Sequence, residues 1–504
     1  MTKPNPVAMS SQPLTAGIVG AGIAGLSAAI ALRRAGFEVQ VYERSRFKNE
    51  VGAAISTPPN ATVVLRRWGF DFAAAQTVPN LSTRYAAAEN LGTVFESQYE
   101  DIDAVMGSPS LSFHRVDLHN GLRALATEDE AVDGEVAGEN GGGYRGGRGI
   151  PVVIRLGCEV EGVDCDNGVL MLADGTRVQK DLVIIADGAH SKLLADFLGR
   201  PALAQPTGRS IYRWLVSMDE VMADAELAEQ YSDKLPGFLG WFDAAKRILW
   251  VNYTCRGGSV LNNAVVHDTE EYSSSQSEGS ENGRNNEDIL WHVPAAKETV
   301  LATLSNFHPA TCRIVSMASE DGIRVHRLFK RPPLESFVRG RTAVIGDTAH
   351  VMLPTHAAGS AIAIESASVL EVLFKDLESH LNNHTYCNGD GVDTERKNSV
   401  EGQQEIDGGR ERIIKERLQL FDKLRIPRCN LTMLVSNAGP EGLRVPGLEQ
   451  EIRRFYYGPL PPTNALPWSD EFREVLFHYD GFREAEQALL DEKGQVKGGT
   501  HGEI

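Results

Sequence analysis

The sequence predicts an α/β protein with a dinucleotide-binding unit near its start and a separate antiparallel sheet in its middle. Three observations carry this. Residues 16–43 (AGIVGAGIAGLSAAIALRRAGFEVQVYE) place a glycine-rich turn between two apolar strands. Two further short apolar runs, Asp181–Ala186 and Arg341–Ile345, are buried-strand candidates that lead into Asp187-Gly188 and Gly346-Asp347. From 208 to 262 the pattern turns to β-branched and aromatic residues (SIYRWLVSM, GFLGWF, RILWVNYTC), the composition of an antiparallel sheet.

In the first unit, Ala16–Gly20 is a strand, Ile23–Ala35 a helix stopped by Gly36, and Val39–Glu43 a second strand. The turn Gly20-Ala21-Gly22-Ile23-Ala24-Gly25 has the G-x-G-x-x-G spacing. Gly20 makes the tight turn, Gly22 lets a pyrophosphate approach the backbone, and Gly25 packs helix against strand. The free N–H groups of the helix start attract phosphate. Glu43 stands where a carboxylate accepts both hydroxyls of an adenosine ribose. This unit by itself leaves FAD and NAD both open.

Further along, Gly52-Ala53-Ala54-Ile55 is small and apolar, suited to backbone lying close to a ligand; Ala53 and Ala54 are cofactor-contact candidates. Asn60–Trp68 reads as a short helix after Pro58-Pro59, Leu81–Ser97 as a strand pair, and the stretch after Ser112–Leu118 as a helix to about Ala126. Strand signals recur over Val152–Leu172, Val293–Asn306 reads as helix, Ala357–Lys375 as a helix of small and apolar residues, and Glu411–Val435 as another helix. Three polar, glycine-rich stretches, 128–149, 268–287 and 379–410, have no means of forming a core and read as disordered inserts.

At 504 residues with 42% hydrophobic content the chain can bury a large core. A net charge of -18 argues against nucleic acid or an anionic membrane as partner. The 6 cysteines are scattered without a C-x-x-C pair, which excludes a redox dithiol of that spacing and fits reduced thiols in a cytoplasmic protein. His380 and His384 form the one H-x-x-x-H pair, in a polar stretch poorly suited to a zinc site; no metal is expected. No signal-peptide core or membrane span is read.

Three separated motifs then resemble the single-component FAD-dependent aromatic hydroxylases, the salicylate-hydroxylase-like group: the fingerprint with Glu43; Asp187-Gly188-Ala189-His190-Ser191; and Gly346-Asp347-Thr348-Ala349-His350 with Pro354 and Gly359 downstream. The approach RLFKRPPLESFVRGRTAVIGDTAH and the pair His114-Arg115 resemble the family too. The resemblance implies a discontinuous Rossmann-like (ββα three-layer) FAD-binding domain over 1–80, 108–200 and 322–378. An interleaved antiparallel-sheet substrate domain takes 81–107 and 201–321, and 411–504 is a helical C-terminal part. Asp347 then meets the flavin's ribityl hydroxyls, Arg115 touches the flavin, Asp187 lines the cofactor, and Pro354, Gly359 and Ser360 bring a helix start to the N1–C2=O edge. Taken alone, Gly346-Asp347 also reads as a turn after a strand. The chain departs from the family at Ala357, usually Gly, at Ser366, usually Asp, and at Leu194, usually Arg. The last departure bears on the pyridine nucleotide more than on FAD.

The implied activity is NAD(P)H- and O₂-dependent hydroxylation of a phenolic or polyketide-derived aromatic through a C4a-hydroperoxyflavin, with NAD(P)H bound transiently. Such chemistry needs a cation near the phenol oxygen and a water-free pocket. Arg213, on a strand at the position of a family active-site Arg, is expected to bind phenolate or carboxylate, and Tyr253 to orient the ring. Trp214, Phe238, Trp241 and Trp250 read equally as pocket wall or core. A flavin oxidase or dehydrogenase, or a non-catalytic flavin-binding redox module, is the alternative. Monomer and homodimer both remain open.

Overall fold

The computed structural model describes residues 13–47, 53–129, 149–202, 204–269, 293–375, 377 and 400–498. The greater part of the three expected inserts, and the pair His380 and His384, lie outside these residues.

A six-stranded sheet forms the first layer, in the order Val338–Arg339, Thr342–Val344, Leu182–Ile185, Thr15–Val19, Glu38–Glu43, Val153–Leu156. Apart from the hairpin of its first two strands, every pair is parallel. Three of the four inner strands are near-continuous apolar runs because helices cover the sheet, while Glu38–Glu43 alternates. Register makes this layer functional. Val19 pairs with Ile185 and with Tyr42, and Ile185 pairs with Val344. The residues that follow, Gly20, Glu43, Ala186-Asp187 and Ile345-Gly346-Asp347, therefore emerge side by side at the carboxyl edge. Ligands bind at that edge of open parallel sheets.

The fingerprint helix Ile23–Arg34 packs between Arg115–Thr127 and Ala358–Phe374. It is buried on nearly every side, which explains its small-residue composition.

The second body is an eight-stranded sheet: Val293–Pro294, Arg324–Lys330, Gln205–Ser217, Val260–Asp268, Ile248–Cys255, Gly237–Asp243, Ser82–Ala87, Thr93–Gln98. Two expectations are corrected here. The sheet is not wholly antiparallel, since Gly237–Asp243 runs parallel to Ser82–Ala87, two strands brought together from distant parts of the chain. Val293–Asn306 is not one helix: Val293-Pro294 pairs with Arg324-Val325, and the helix spans only Lys297–Thr303. The strand Arg324–Lys330 also belongs to this sheet although it lies past the boundary read at 322.

Alternation across this sheet sorts its side chains. Tyr212, Trp214, Val216, Leu239, Trp241, Ile248, Trp250, Leu261 and Val265 face one core, closed by helices such as Pro309–Met317. The residues between them face the first body. The C-terminal part opens with Val400–Asn437, which starts inside the stretch read as the third insert. It continues through a 3-10 turn at Gly439–Arg444 and helices Leu448–Ile452, Asp470–Leu476 and Gly481–Gly498. Its aromatic residues Phe455, Trp468, Phe472 and Phe477 join Tyr99 and Phe238 in a separate apolar cluster, against which Tyr253 and Ala357 pack.

Candidate active site

At the fingerprint each glycine has a distinct steric reason. Gly20 has φ +98, and a Cβ there would lie 2.4 Å from the Ala186 carbonyl oxygen. A Cβ on Gly25 would lie 1.9 Å from the Gly20 oxygen, so only glycine lets helix and turn meet. At Gly22 a Cβ would meet nothing within 4 Å among the described residues, leaving the open approach a pyrophosphate needs. Glu43 accepts the Ala21 N–H at 2.7 Å and the Ser45 N–H at 2.7 Å. Each carboxylate oxygen retains a lone pair for a ribose diol. His119 Nε2 lies 2.7 Å from the Ala21 oxygen and braces the turn from behind.

The second and third motifs are tied directly to each other. The Thr348 hydroxyl donates to Asp187 Oδ1 at 3.1 Å and accepts the Gly188 N–H at 2.9 Å. Buried Arg331 donates to the Thr348 carbonyl at 3.1 Å and to the Ala189 carbonyl at 2.8 Å. Burial pushes the Asp187 carboxyl up, against hydrogen bonds from Ser191 and Thr348. Asp347 opens to the cleft, whereas Thr348, Ala349 and His350 are buried. The surrounding protein mass raises its carboxyl, opposed by Arg331 and then by Arg115.

Arg115 is exposed at the start of its helix, and its backbone N–H donates to the Ala53 carbonyl at 2.8 Å. Ala54 is held from the other body: the Asn262 carboxamide accepts its N–H at 3.1 Å and the Tyr253 hydroxyl donates to its carbonyl at 3.0 Å. Gly359 and Ser360 occupy the first turn of Ala358–Phe374, after the exposed Pro354. The one atom within 4 Å of a Cβ on Gly359 is Asp347 Oδ1, at 3.8 Å. Ala357 caps this helix at φ +55, a left-handed conformation that favours glycine.

These residues fit a flavin dinucleotide. Two helix starts, at Ile23 and Ala358, open near one sheet edge, and neither has a side-chain cap or an acid in its first turn. One suits a pyrophosphate and the other a flavin carbonyl edge. Gly188, like Gly22, has open space where a Cβ would stand.

On the sheet face opposite, Arg213, Ala264, Val251, Gly240 and Tyr85 form one row across five strands. Leu215, Asn262 and Tyr253 form the next. Arg213 is half-buried and its Nε has no hydrogen-bond partner among the described residues. Burial draws its pKa down, Tyr253 opposes this, and Arg115 adds to it. Arg115 thus stands in the electrostatic field of both Arg213 and Asp347. Burial keeps the Tyr253 phenol protonated, and Phe238 meets its ring edge-on at 5.2 Å. Of the four aromatic wall candidates only Phe238 lies on this side, 4.8 Å from Trp468; Trp214, Trp241 and Trp250 belong to the core on the far face. Leu194 is fully buried in a helix, and nearby Lys192 is exposed, 3.6 Å from Glu159.

Sequence reasoning passed over Tyr85, Asn262, Arg331 and the C-terminal aromatics. Arg331 lies within a stretch matched to the family, but nothing in the stretch marks its carbonyl partners. The others are set by strand register and by chain packing.

Residues 18–75 match the family of NAD(P)-binding Rossmann-like domains. Hispidin-3-hydroxylase from Neonothopanus nambi is 30% identical over 367 residues, 71% of this chain and 79% of the relative. The FAD-dependent monooxygenase OpS4 from Beauveria bassiana is 30% identical over 368 residues, 71% of this chain and 76% of the relative. The chain belongs to the FAD-dependent monooxygenases. The fold of this monooxygenase agrees: a salicylate hydroxylase substrate complex superposes with a TM-score of 0.64 at 21% identity, covering 95% of this chain and 98% of the other. FAD is its cofactor. Among the described residues no helix is long and apolar enough to cross a membrane.

Proposed function

We propose that this monooxygenase uses NAD(P)H and O₂ to hydroxylate a phenolic or polyketide-derived aromatic, in secondary metabolism and in the cytoplasm. The observation that carries the reading is Arg213: a desolvated guanidinium with an unpartnered Nε, on the sheet face turned to the edge that bears Asp347. A cation in such a setting lowers the pKa of a phenol beside it and holds the ring as phenolate, the electron-rich form an oxygen electrophile attacks. In its row Ala264 carries only a methyl, which leaves room beside Arg213 for a planar ring, whereas the Tyr85 ring already fills the space over Gly240, where a Cβ would meet it at 2.5 Å.

Bound FAD, reduced by the nicotinamide, supplies the activation of O₂ and the transfer of one oxygen atom. The chain's own residues do the rest. Glu43 takes the adenosine ribose, the Ile23 helix start the pyrophosphate, and Asp347 the ribityl hydroxyls. Arg115 would contact the flavin, and the Ala358 helix start would offer a positive dipole end to its N1–C2=O edge. Tyr253 acts by holding Ala54, and so a backbone segment that would contact the flavin, because its phenolic proton is already given to that carbonyl. Phe238, Trp468 and Phe477 help to keep water out. NAD(P)H visits without a domain of its own. The protein is a monomer or homodimer, without nucleic acid or membrane partners.

Arg213→Ala tests this. The variant is expected to purify yellow, with phenol-stimulated NAD(P)H oxidation diverted to hydrogen peroxide. Full coupling to hydroxylated product would overturn the assignment. The same assay on the wild type separates this reading from an oxidase or a redox module, because phenols stimulate NAD(P)H oxidation only in the first.

A further inference from the structure

Behind the flavin-facing helix lies a buried ionic cluster with no part in the reading above. Glu365 is 0% exposed, Arg425 0% and Arg428 4%. Glu365 Oε1 lies 2.6 Å from Arg425 Nη1, and Oε2 lies 3.0 Å from Arg428 Nη2. Asn60 Nδ2 donates to Oε2 at 2.8 Å. Arg428 also donates to the Val475 and Leu476 carbonyls at 3.0 and 2.6 Å, and lies 4.5 Å over the Tyr479 ring. Burial pushes the Glu365 carboxyl up, but Arg428 and Arg425 more than offset it and keep it ionised.

The charges do not cancel. Two guanidinium groups face one carboxylate, a net charge of +1. Arg425 Nε finds a neutral acceptor, the Ser366 hydroxyl at 3.1 Å, whose proton goes to the Ile362 carbonyl at 2.7 Å. Among the described residues the further anion in this field is Glu484, exposed beside Tyr479 and therefore a weak, solvent-screened counter-charge. Burial keeps the Cys429 thiol and the Tyr479 phenol protonated, and burial with Arg425 holds His350 neutral, down to about 4. The carbonyls that Arg428 binds, at the end of Asp470–Leu476, offset only a fraction of a charge.

We infer that the Arg425–Arg428–Glu365 cluster, one carboxylate short of neutrality because Ser366 stands beside Arg425, tunes the flavin's reduction potential upward through the helix Ala358–Phe374. The inference rests on the reading that the flavin ring meets the start of this helix. Reduction by hydride brings two electrons and one proton and leaves the flavin with one extra negative charge. Glu365 lies about 10 Å along the helix from Ala358 at 1.5 Å per residue. At an effective dielectric near 20, a unit charge at that distance shifts a charge-forming equilibrium by on the order of tenfold. The sign favours the reduced form. Helix dipole and cluster charge act in the same direction.

The test is the midpoint potential of the FAD-loaded protein, titrated spectroscopically against a dye of known potential. Ser366→Asp places a carboxylate against Arg425 and is expected to move the potential negative by threefold to tenfold in the reduction equilibrium, up to about 30 mV for a two-electron couple. Ser366→Asn, similar in size but neutral, is expected to stay at the wild-type value. Equal shifts in both variants, or no shift in either, would overturn the inference. If Ser366→Asp fails to fold, the pair Arg428→Met and Arg428→Lys replaces it: only Met is expected to move the potential negative, and equal shifts again overturn it. Asp347→Ala separates the underlying reading. FAD retained in that variant overturns the flavin placement itself; FAD lost there, with no shift in Ser366→Asp, overturns only the charge effect.

Discussion

The strand-end edge that carries Gly20, Asp187 and Asp347 and the sheet face that carries Arg213 and Tyr253 meet at one cleft, yet they are specified differently. The edge is assembled from three short segments, each holding its own turn, acid and helix start. Parallel register then places the segments side by side. Arg213 and Tyr253 come from different strands, and the row of Arg213 is completed by Ala264, Val251, Gly240 and Tyr85 from four strands other than its own. The edge therefore tolerates little local change, whereas the face should tolerate change on one side of each strand and not on the other.

The largest effect is expected at the edge. Asp347→Ala should purify colourless, since it removes the carboxylate meant for the ribityl hydroxyls, an ionic hydrogen bond worth about 1.5–3 kcal/mol. Flavin absorbance per protein checks this, and normal yellow protein would break the comparison. Next comes the contrast within one strand. Trp250, fully buried with its Nε1 donating to Asn263 at 3.0 Å, should cost about 3–5 kcal/mol of stability when cut to Ala. Tyr253→Phe, three positions on and facing the cleft, should cost only about 1 kcal/mol, the loss of its bond to Ala54. Denaturant unfolding of the two variants would show whether the faces differ as alternation requires.

A smaller effect concerns pH. Because burial raises the Asp347 carboxyl, the folded apoprotein retains a proton that the unfolded chain has released. Stability is then lost as pH rises from the ordinary carboxylate range, near 4, through the raised folded value. Apo Asp347→Asn should melt above the wild type at pH 7 and match it below about pH 4. The gap should be modest because the group opens to the cleft. A melting series across pH checks both sign and window. The smallest effect is expected at Ala357→Gly. Relief of the left-handed backbone should stabilise by at most about 1 kcal/mol, partly offset by unfolded-state entropy. Destabilisation in that variant would mean that the Ala357 methyl's packing outweighs the strain.

Legibility followed the same division. The fingerprint, the two Gly/Asp pairs and the helix after Ala357 could be read because each depends on residues a few positions apart. Trp214, Trp241 and Trp250 could not be assigned to wall or core, since composition does not say which face of a strand meets which body. The C-terminal helix was read to start at 411, but Val400–Asn437 begins earlier, in polar sequence that carries no apolar stripe to announce it. The parallel pair between Gly237–Asp243 and Ser82–Ala87 had no local signal at all.

The sequence by itself determined the dinucleotide turn, the acids at the strand ends and, with the family resemblance, FAD. Backbone geometry and glycine sterics act over a few residues, and they leave their mark there. Only the tertiary structure decided that Tyr253 spends its phenol on Ala54, that Arg331 joins the second and third motifs, and that Ser366 leaves two buried arginines facing one carboxylate. Each of these depends on groups brought within hydrogen-bonding distance from opposite ends of the chain. Their energy comes from desolvation and pairing, which no single segment encodes.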